Sequence, residues 1–505
     1  MARLLSLPRR LAVFVLVLVG LAIAVPAVIV AQDVLTMSDQ EQKDWLTNFV
    51  QDRLSTPERQ ISLSNIEGAL GSDVSIREIT ISDAEGVWLR VNNARLSWNQ
   101  SALFLGRLEV RSLTADSIDY LRNAKPAEGV DLPPAEAGSL TIPEFPVAVI
   151  LQDLSIPKVT FGEGVFGLGS AISLKGALTL EGGNLTSKLD IVRLDGPGGT
   201  LALLANYTKA DNVVDVGVTL TEPPDGVMAN LLNIEGRPAV ELTIAGKGPV
   251  ADLQTTLTLK ANGQTALGGG ATVNQTADGF AIAADLRGPV ASLMAAPYRP
   301  FFGAESALTA NALVRSAGGI SISGLKLSGG QLSLEASAET TADNFLRQLT
   351  LNAVVADPAG APVLLPVPGS PISVNGAQVA VNFGQDNSEN WSSTLGIKGL
   401  TTSEFAADTM ALTLGGVASN LSDPAARRLT FNGDGTIAGI AGSDEVEAAL
   451  GDSIGLGLAG LWTAGEPVQL AQFRVVGKAL TAGLAGVLDG PEFKGDVAIE
   501  TANIA

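Results

Sequence analysis

Residues 172–184 read ISLKGALTLEGGN. Ile172, Leu174, Gly176, Leu178 and Leu180 take every second position, and Glu181-Gly182-Gly183-Asn184 follows. Successive side chains of a β-strand point to opposite faces, so this stretch predicts a strand with one apolar and one polar face, closed by a turn. The alternation returns at Val214, Val216, Val218 and Leu220, at Phe280, Ile282, Ala284 and Leu286, and at Leu332, Leu334, Ala336 and Ala338. Links such as Ser328-Gly329-Gly330-Gln331 are too short for a parallel crossover and long enough for a hairpin. A mainly β chain built as an antiparallel meander is expected.

Upstream, Ile61 to Arg122 carries the same period at Val74/Ile76, Ile79/Ile81, Leu89/Val91, Leu96/Trp98 and Leu108/Val110. Asp83-Ala84-Glu85-Gly86 and Asn92-Asn93 are expected to separate the runs as turns. Between these strands and the later meander, Ala124 to Pro146 holds Pro126, Pro133, Pro134, Pro143 and Pro146 and reads as an extended connector. Helical interruptions are expected near Val227 to Leu232 and Leu293 to Phe302. Gly-Pro-Val-Ala-x-Leu occurs at Gly248 to Leu253 and again at Gly288 to Leu293, which suggests an irregular internal repeat. The expected division is an anchor (1–31), a helix plus β region (32–123), the connector (124–147) and a repetitive β region (148–505).

The chain of 505 residues is 46% hydrophobic and 17% charged, and its 56 Gly and 5% aromatics mark it as rich in turns and small aliphatics. It has no Cys and no His, which excludes disulfides, thiolate nucleophiles, Cys-based zinc sites and Ser-His-Asp, Cys-His or HExxH chemistry in this chain. The absence of Cys also suits an oxidising compartment. A net charge of −20 repels phosphate backbones, so nucleic acid is not an expected partner.

Leu11 to Val30 is a run of uncharged apolar residues, including Leu11, Phe14, Leu18, Leu21, Ile23 and Val30, long enough as a helix to cross a bilayer. Arg3, Arg9 and Arg10 precede it and Asp33, Asp39, Glu41 and Asp44 follow, which predicts a cytoplasmic N-terminus with the bulk of the chain across the membrane. A cleaved signal peptide is the alternative, with Ala27 or Ala31 before the cut. Ser38-Asp39-Gln40-Glu41 has capping-box spacing, and Trp45, Leu46, Phe49, Val50 and Leu54 then recur at helical spacing. That amphipathic helix could lie on the membrane and admit lipid, or pack as a lid on the neighbouring sheet.

A sheet with one apolar face must cover that face with another sheet, with helices, or with something that is not protein. Ordinary sandwich cores are one solution. The other is an elongated antiparallel sheet curled into a hydrophobic trough; roughly 35 to 45 strands would make it on the order of 150–200 Å long. Its lining would include Ile172, Leu174, Leu178, Leu180, Val214, Val216, Val218, Leu220, Phe280, Ile282, Leu286, Leu332 and Leu334. Such a surface suits acyl chains, each buried methylene gaining about 0.8 kcal/mol relative to water. G-x-G-x-x-G occurs at Gly162 to Gly167 and Gly455 to Gly460, at chance frequency for so Gly-rich a chain and without a dinucleotide-fold context. The carboxylate pairs Glu445/Glu447 and Asp211/Asp215 read as solvated surface. No catalytic residue, cofactor or metal is expected.

Ile66-Glu67-Gly68-Ala69-Leu70, the run Ile79-Thr80-Ile81-Ser82-Asp83-Ala84-Glu85-Gly86-Val87-Trp88-Leu89, Leu96-Ser97-Trp98 and Leu103-Phe104-Leu105-Gly106-Arg107-Leu108 together resemble the N-terminal region of the TamB family, AsmA-like proteins of Gram-negative bacteria. Arg193-Leu194-Asp195-Gly196-Pro197, Gly236-Arg237-Pro238-Ala239 and Leu365-Pro366-Val367-Pro368-Gly369 are similar to its alphaproteobacterial branch. The resemblance implies a single-pass inner-membrane anchor and a periplasmic β-taco trough. It also implies phospholipid transport between the membranes, and outer-membrane protein and autotransporter assembly with the barrel TamA. Family members are usually longer and meet TamA through a C-terminal domain that this sequence does not contain, so it reads as an N-terminal portion.

Overall fold

The computed structural model describes residues 59–68, 71–124, 148–196, 198–367, 369–490 and 492–502, with Ser38, Gln40, Glu41 and Ser55. The anchor Leu11–Val30, the helix bearing Trp45, Leu46, Phe49 and Val50, and nearly all of the Pro-rich connector lie outside the described residues. At Ser38 the capping box is present: Ser38 N and Oγ both donate to Glu41 Oε2, at 2.8 and 2.7 Å, and Glu41 N donates to Ser38 Oγ at 3.4 Å. No helix among the described residues is long and apolar enough to cross a membrane.

Two compact units divide the described residues, one through Thr265 and one from Ala266 onward. In the first, β1 (Gln60–Glu67), β2 (Asp73–Asp83), β3 (Gly86–Asn99), the single helical turn α1 (Gln100–Leu103), β4 (Arg107–Thr114), β5 (Ser117–Tyr120) and β6 (Ala148–Phe161) come first. A short helix, α2 (Glu163–Phe166), then leads to β7 (Ser170–Glu181), β8 (Asn184–Arg193), β9 (Thr200–Thr208) and β10 (Val213–Glu222). After α3 (Val227–Leu231) come β11 (Val240–Pro249) and β12 (Asp252–Ala261). From β6 to β12 each strand whose register is described pairs antiparallel with the next. The exceptions to antiparallel pairing are β4 and β5, which both lie parallel to β6. They occur where the long connector separates the strands, since a parallel return needs a dozen or more residues.

The expected turn at Asn92-Asn93 is not one. β3 runs straight through it, with Asn93 at φ 50° as an interruption in an otherwise continuous strand. There β3 changes partner: Leu89 to Asn92 pair with β5, and Arg95 to Asn99 pair with β4. Asp116, between β4 and β5, fills the gap by accepting from Asn93 Nδ2 and Arg95 Nη1, both at 2.8 Å. Those hydrogen bonds hold its carboxyl below the ordinary value. The apolar positions at period two meet as expected: Val74, Ile79, Ile81, Leu89, Val91, Leu96, Trp98, Leu108 and Val110 belong to one buried cluster that reaches Leu174 and Ile191.

The second unit is a meander of β13 (Gln264–Thr276), β14 (Gly279–Gly288), α4 (Arg299–Phe302), β15 (Ser306–Arg315), β16 (Ile320–Ser328), β17 (Leu332–Thr340) and β18 (Leu346–Val355). A small hairpin, β19 (Val363–Leu364) and β20 (Ser373–Val374), precedes β21 (Gly376–Phe383), β22 (Asn390–Thr401), β23 (Ala406–Ser419) and β24 (Arg428–Ala441). Helix α5 (Asp444–Leu450) leads to β25 (Ser453–Thr463), β26 (Val468–Val476), β27 (Leu480–Asp489) and β28 (Glu492–Thr501). The 28 strands among the described residues fall short of the 35 to 45 expected, because most strands have eight to fourteen residues and, with the inserts between them, use more chain per strand.

Hairpin connections alternate between the two rims of a meander, and here the inserts share one rim within each unit. In the first unit α2 and α3 follow β6 and β10; in the second, α4, the β19–β20 hairpin and α5 follow β14, β18 and β24. Because β18 pairs directly with β21, an insert recurs after every fourth strand of the ladder. The two Gly-Pro-Val-Ala-x-Leu segments are not equivalent parts of this repeat: the first is the tight β11–β12 turn and the second opens into a 3-10 turn, Val290–Leu293, of the β14–β15 insert.

Candidate functional site: an apolar face read through the ladder

Residues directly opposite in an antiparallel ladder present their side chains to the same face, so the register identifies what each face carries. In the second unit Leu286 stands opposite Leu308, Leu308 opposite Leu327, Leu327 opposite Leu334 and Leu334 opposite Ala353. The row continues through Val379, Leu395, Leu412, Gly435, Leu456, Val475 and Ala482 to Ile499 on β28. It crosses thirteen strands without a polar side chain, a path of about 58 Å at the usual strand spacing. One residue along, the neighbouring row carries Asp285, Thr309, Lys326, Glu335 and Asn352. Lys326 and Glu335 are paired there at 2.8 Å, on the exposed side.

From Leu286 to Ala482 the apolar row is half-buried throughout; the residues between are exposed on most of these strands, while on β15, β25 and β27 those flanking the row are half-buried as well. The sandwich alternative requires full burial at mid-strand. In this unit the fully buried apolar side chains instead include Phe301, Val363 and Val374, a small cluster formed by the rim inserts.

The expected lining residues divide into two environments. Val214, Val216, Val218 and Leu220 share a face with Leu201 and Leu203 of β9 and with Leu242 and Ile244 of β11. Val214, Val216 and Val218 are half-buried, as are Ile282, Leu286, Leu332 and Leu334; Leu220 and Phe280 are buried. Leu174 belongs to the closed core of the first unit, and Ile172, Leu178 and Leu180 pack against it. An Asp or Arg at Leu178 or Leu180 is therefore expected to cost stability, which makes positions in the second unit better probes of ligand contact.

On the rim opposite the inserts, a cluster joins strands that are distant along the ladder. Asp343, in the β17–β18 turn, accepts from Arg427 Nη2, just before β24. Arg427 Cζ lies 4.1 Å from the Phe345 ring centroid, and Phe345 stacks on Trp462 of β25 with centroids 6.1 Å apart. Five ladder steps, about 24 Å, separate β18 from β25. The rings can meet only if the sheet coils at this rim, and Trp462, opposite Leu429 and in phase with Leu456, lies on the apolar face. That face is therefore the inside of the coil there.

The Arg427 hydrogen bond, then that of Thr341, holds the Asp343 carboxyl below its ordinary value of 3.8. The stabilisation is thus fully present above the ordinary value and is lost as pH falls through the lowered one. Urea midpoints measured from pH 7 to pH 3 should show this acid-side loss, and Arg427→Met should reduce it, leaving the part due to Thr341 and to other lowered carboxyls such as Asp116, while costing about 1–3 kcal/mol at neutral pH. A variant with an unchanged acid limb would show that the pair is not formed.

The remaining motifs carry no site. Gly162–Gly167 lies at the β6–β7 connection, between strands paired antiparallel, and Gly455–Gly460 is inside β25. Glu445 and Glu447 are exposed on α5, and Asp215 pairs with Lys247 at 3.1 Å. No group of metal-ligating side chains is found among the described residues. The chain matches no protein-family model, no curated protein and no solved structure.

Proposed function

We propose that this chain is a non-enzymatic, membrane-anchored conduit for phospholipid, of the TamB type, with Leu11–Val30 as its inner-membrane anchor and its β region in the periplasm. The apolar rows would hold acyl chains, and passage between inner and outer membranes would serve outer-membrane protein and autotransporter assembly with a TamA-like barrel. The observation that carries this reading is the half-buried row from Leu286 to Ala482. Many equivalent aliphatic contacts hold hydrocarbon without fixing its position, which is what sliding requires. Native mass spectrometry with lipid extraction on the exported, purified chain tests it. Several phospholipids per chain are expected; a lipid-free, stable protein would overturn the reading.

A second reading is an assembly scaffold that adds an exposed sheet edge to a client outer-membrane strand. Proline placed in an edge strand should then impair assembly of an outer-membrane client more than any charge placed in the row; equal effects would remove this reading.

A further inference from the structure

The β14–β15 connection is long, and it is fastened rather than loose. Gln331 N donates to the carbonyl of Phe301 at 3.0 Å, and Ser306 Oγ to that of Phe302 at 2.9 Å. Gly303, at φ 72°, lies so close to Gly330 that a Cβ on either residue would come within 2.7 Å of the other's backbone. Phe301 is buried against Val363 and Val374 of the next insert.

Beneath this connection is a cavity of about 170 Å³. Val290, Phe301 and Phe302 of the connection line it together with Leu286, Leu308 and Leu327, the first three members of the apolar row. Its accessible surface is wholly apolar. Water would find no partners there, and a peptide would leave its amides unpaired. A dry apolar cavity of about 150 Å³ accepts benzene, so this one has room for roughly six carbons.

We infer that this cavity receives the methyl end of an acyl chain lying along the row, with Phe301 and Phe302 as the stop against which it ends. The inference rests on the conduit reading and adds a defined resting place to it. Hydrocarbon on the open row is free to slide, whereas a chain end inserted under the connection is held in register.

Photolabelling of the whole 505-residue chain tests this with three probes. One is a phosphatidylethanolamine with a diazirine at the terminal carbon of one acyl chain, the second has the diazirine beside the acyl carbonyl, and the third is the free fatty acid with a terminal diazirine. The terminal-diazirine phospholipid is expected to label peptides containing Phe301, Phe302 and Leu308 about tenfold more than the carbonyl-proximal one. Leu308→Trp, which fills the cavity, should weaken that labelling about tenfold, the change expected when roughly two methylenes lose their burial. Labelling around Leu395 and Leu412 should persist in the variant.

Equal labelling by the two phospholipids overturns the inference, and that comparison needs no variant. Labelling of the row without labelling of the cavity overturns the inference and leaves the conduit standing. Labelling by the free acid alone keeps the acyl site and overturns the phospholipid conduit. No labelling anywhere overturns both.

Discussion

Replacing Leu334 and Leu395 together by aspartate is expected to strip bound phospholipid from the chain at least about tenfold while leaving it folded. Each stands in the half-buried row, Leu334 between Leu327 and Ala353, Leu395 between Val379 and Leu412. A carboxylate there holds water in the path, and hydrocarbon crossing it loses about 0.8 kcal/mol for every methylene that is no longer buried. No second layer seals these positions, so the carboxylates can reach solvent in the empty protein. The expected cost to stability is about 1–2 kcal/mol, below that of a core disruption. Glu335→Gln with Thr394→Ala, on the exposed row, should leave both lipid content and stability unchanged. Lipid counted per chain and urea midpoints give the comparison; equal lipid loss in the two variants would sink the conduit.

The alternation from Ile172 to Leu180 and the turn at Glu181 to Asn184 were legible because both are local, one a matter of period and the other of backbone freedom. Gly182 and Gly183 take φ of 60° and 78°, which few other residues adopt cheaply. The helical interruptions at Val227–Leu231 and Arg299–Phe302 were likewise legible. Asn92-Asn93 was misread because Asn favours turns and tolerates positive φ, and the same tolerance here serves an interruption in a long strand. Gly-Pro-Val-Ala-x-Leu misled in the other direction. The first copy is held as a turn by Val250 N on the Asn212 carbonyl, at 2.8 Å. Ser292, on the second, donates through Oγ to the Pro289 carbonyl at 2.8 Å. A tertiary partner holds the first copy, and a local bond from the variable position, Ser292 where the first copy has Asp252, holds the second. What no period can supply is register: alternation says which side chains share a face of one strand, and only pairing says that Leu327 meets Leu334. The recurrence of inserts every fourth strand was hidden for a related reason, since these strands vary from eight to fourteen residues while their number between inserts stays constant.

The glycine contact beneath the β14–β15 connection gives an independent handle on the rim. Gly330→Val is expected to lift the connection, because its Cβ would meet the Pro300 carbonyl at 2.6 Å and the Gly303 backbone at 2.7 Å. A cost of about 1–3 kcal/mol and faster amide exchange between residues 290 and 303 should follow. Unchanged exchange would mean that the connection is held by its other contacts.

Trp98→Ala is expected to have the largest effect on stability of any single substitution in the first unit. Trp98 is 0% exposed within the buried cluster, and its Nε1 donates to the Gly71 carbonyl at 2.9 Å. Truncation removes the ring from a closed core and leaves that carbonyl without its donor, at a cost of about 3–5 kcal/mol for the cavity and about 1 kcal/mol more for the hydrogen bond. Against a typical domain stability of about 5–15 kcal/mol, that brings the unit near the limit of folding. Trp98→Phe keeps most of the packing and should cost roughly half as much. Both variants lose the Nε1 donor, so the difference between their urea midpoints reads the packing loss, and a Trp98→Ala midpoint equal to that of the unsubstituted chain would show that the core does not hold this unit. The contrast with Leu334 and Leu395 follows from one physical difference. A core side chain is covered by protein, so its loss appears in stability; a half-buried row side chain awaits a cover, so its loss appears in what the chain can hold. If lipid covers the row, the two classes of substitution must separate in this way, and core substitutions made mild enough to fold must leave lipid content intact.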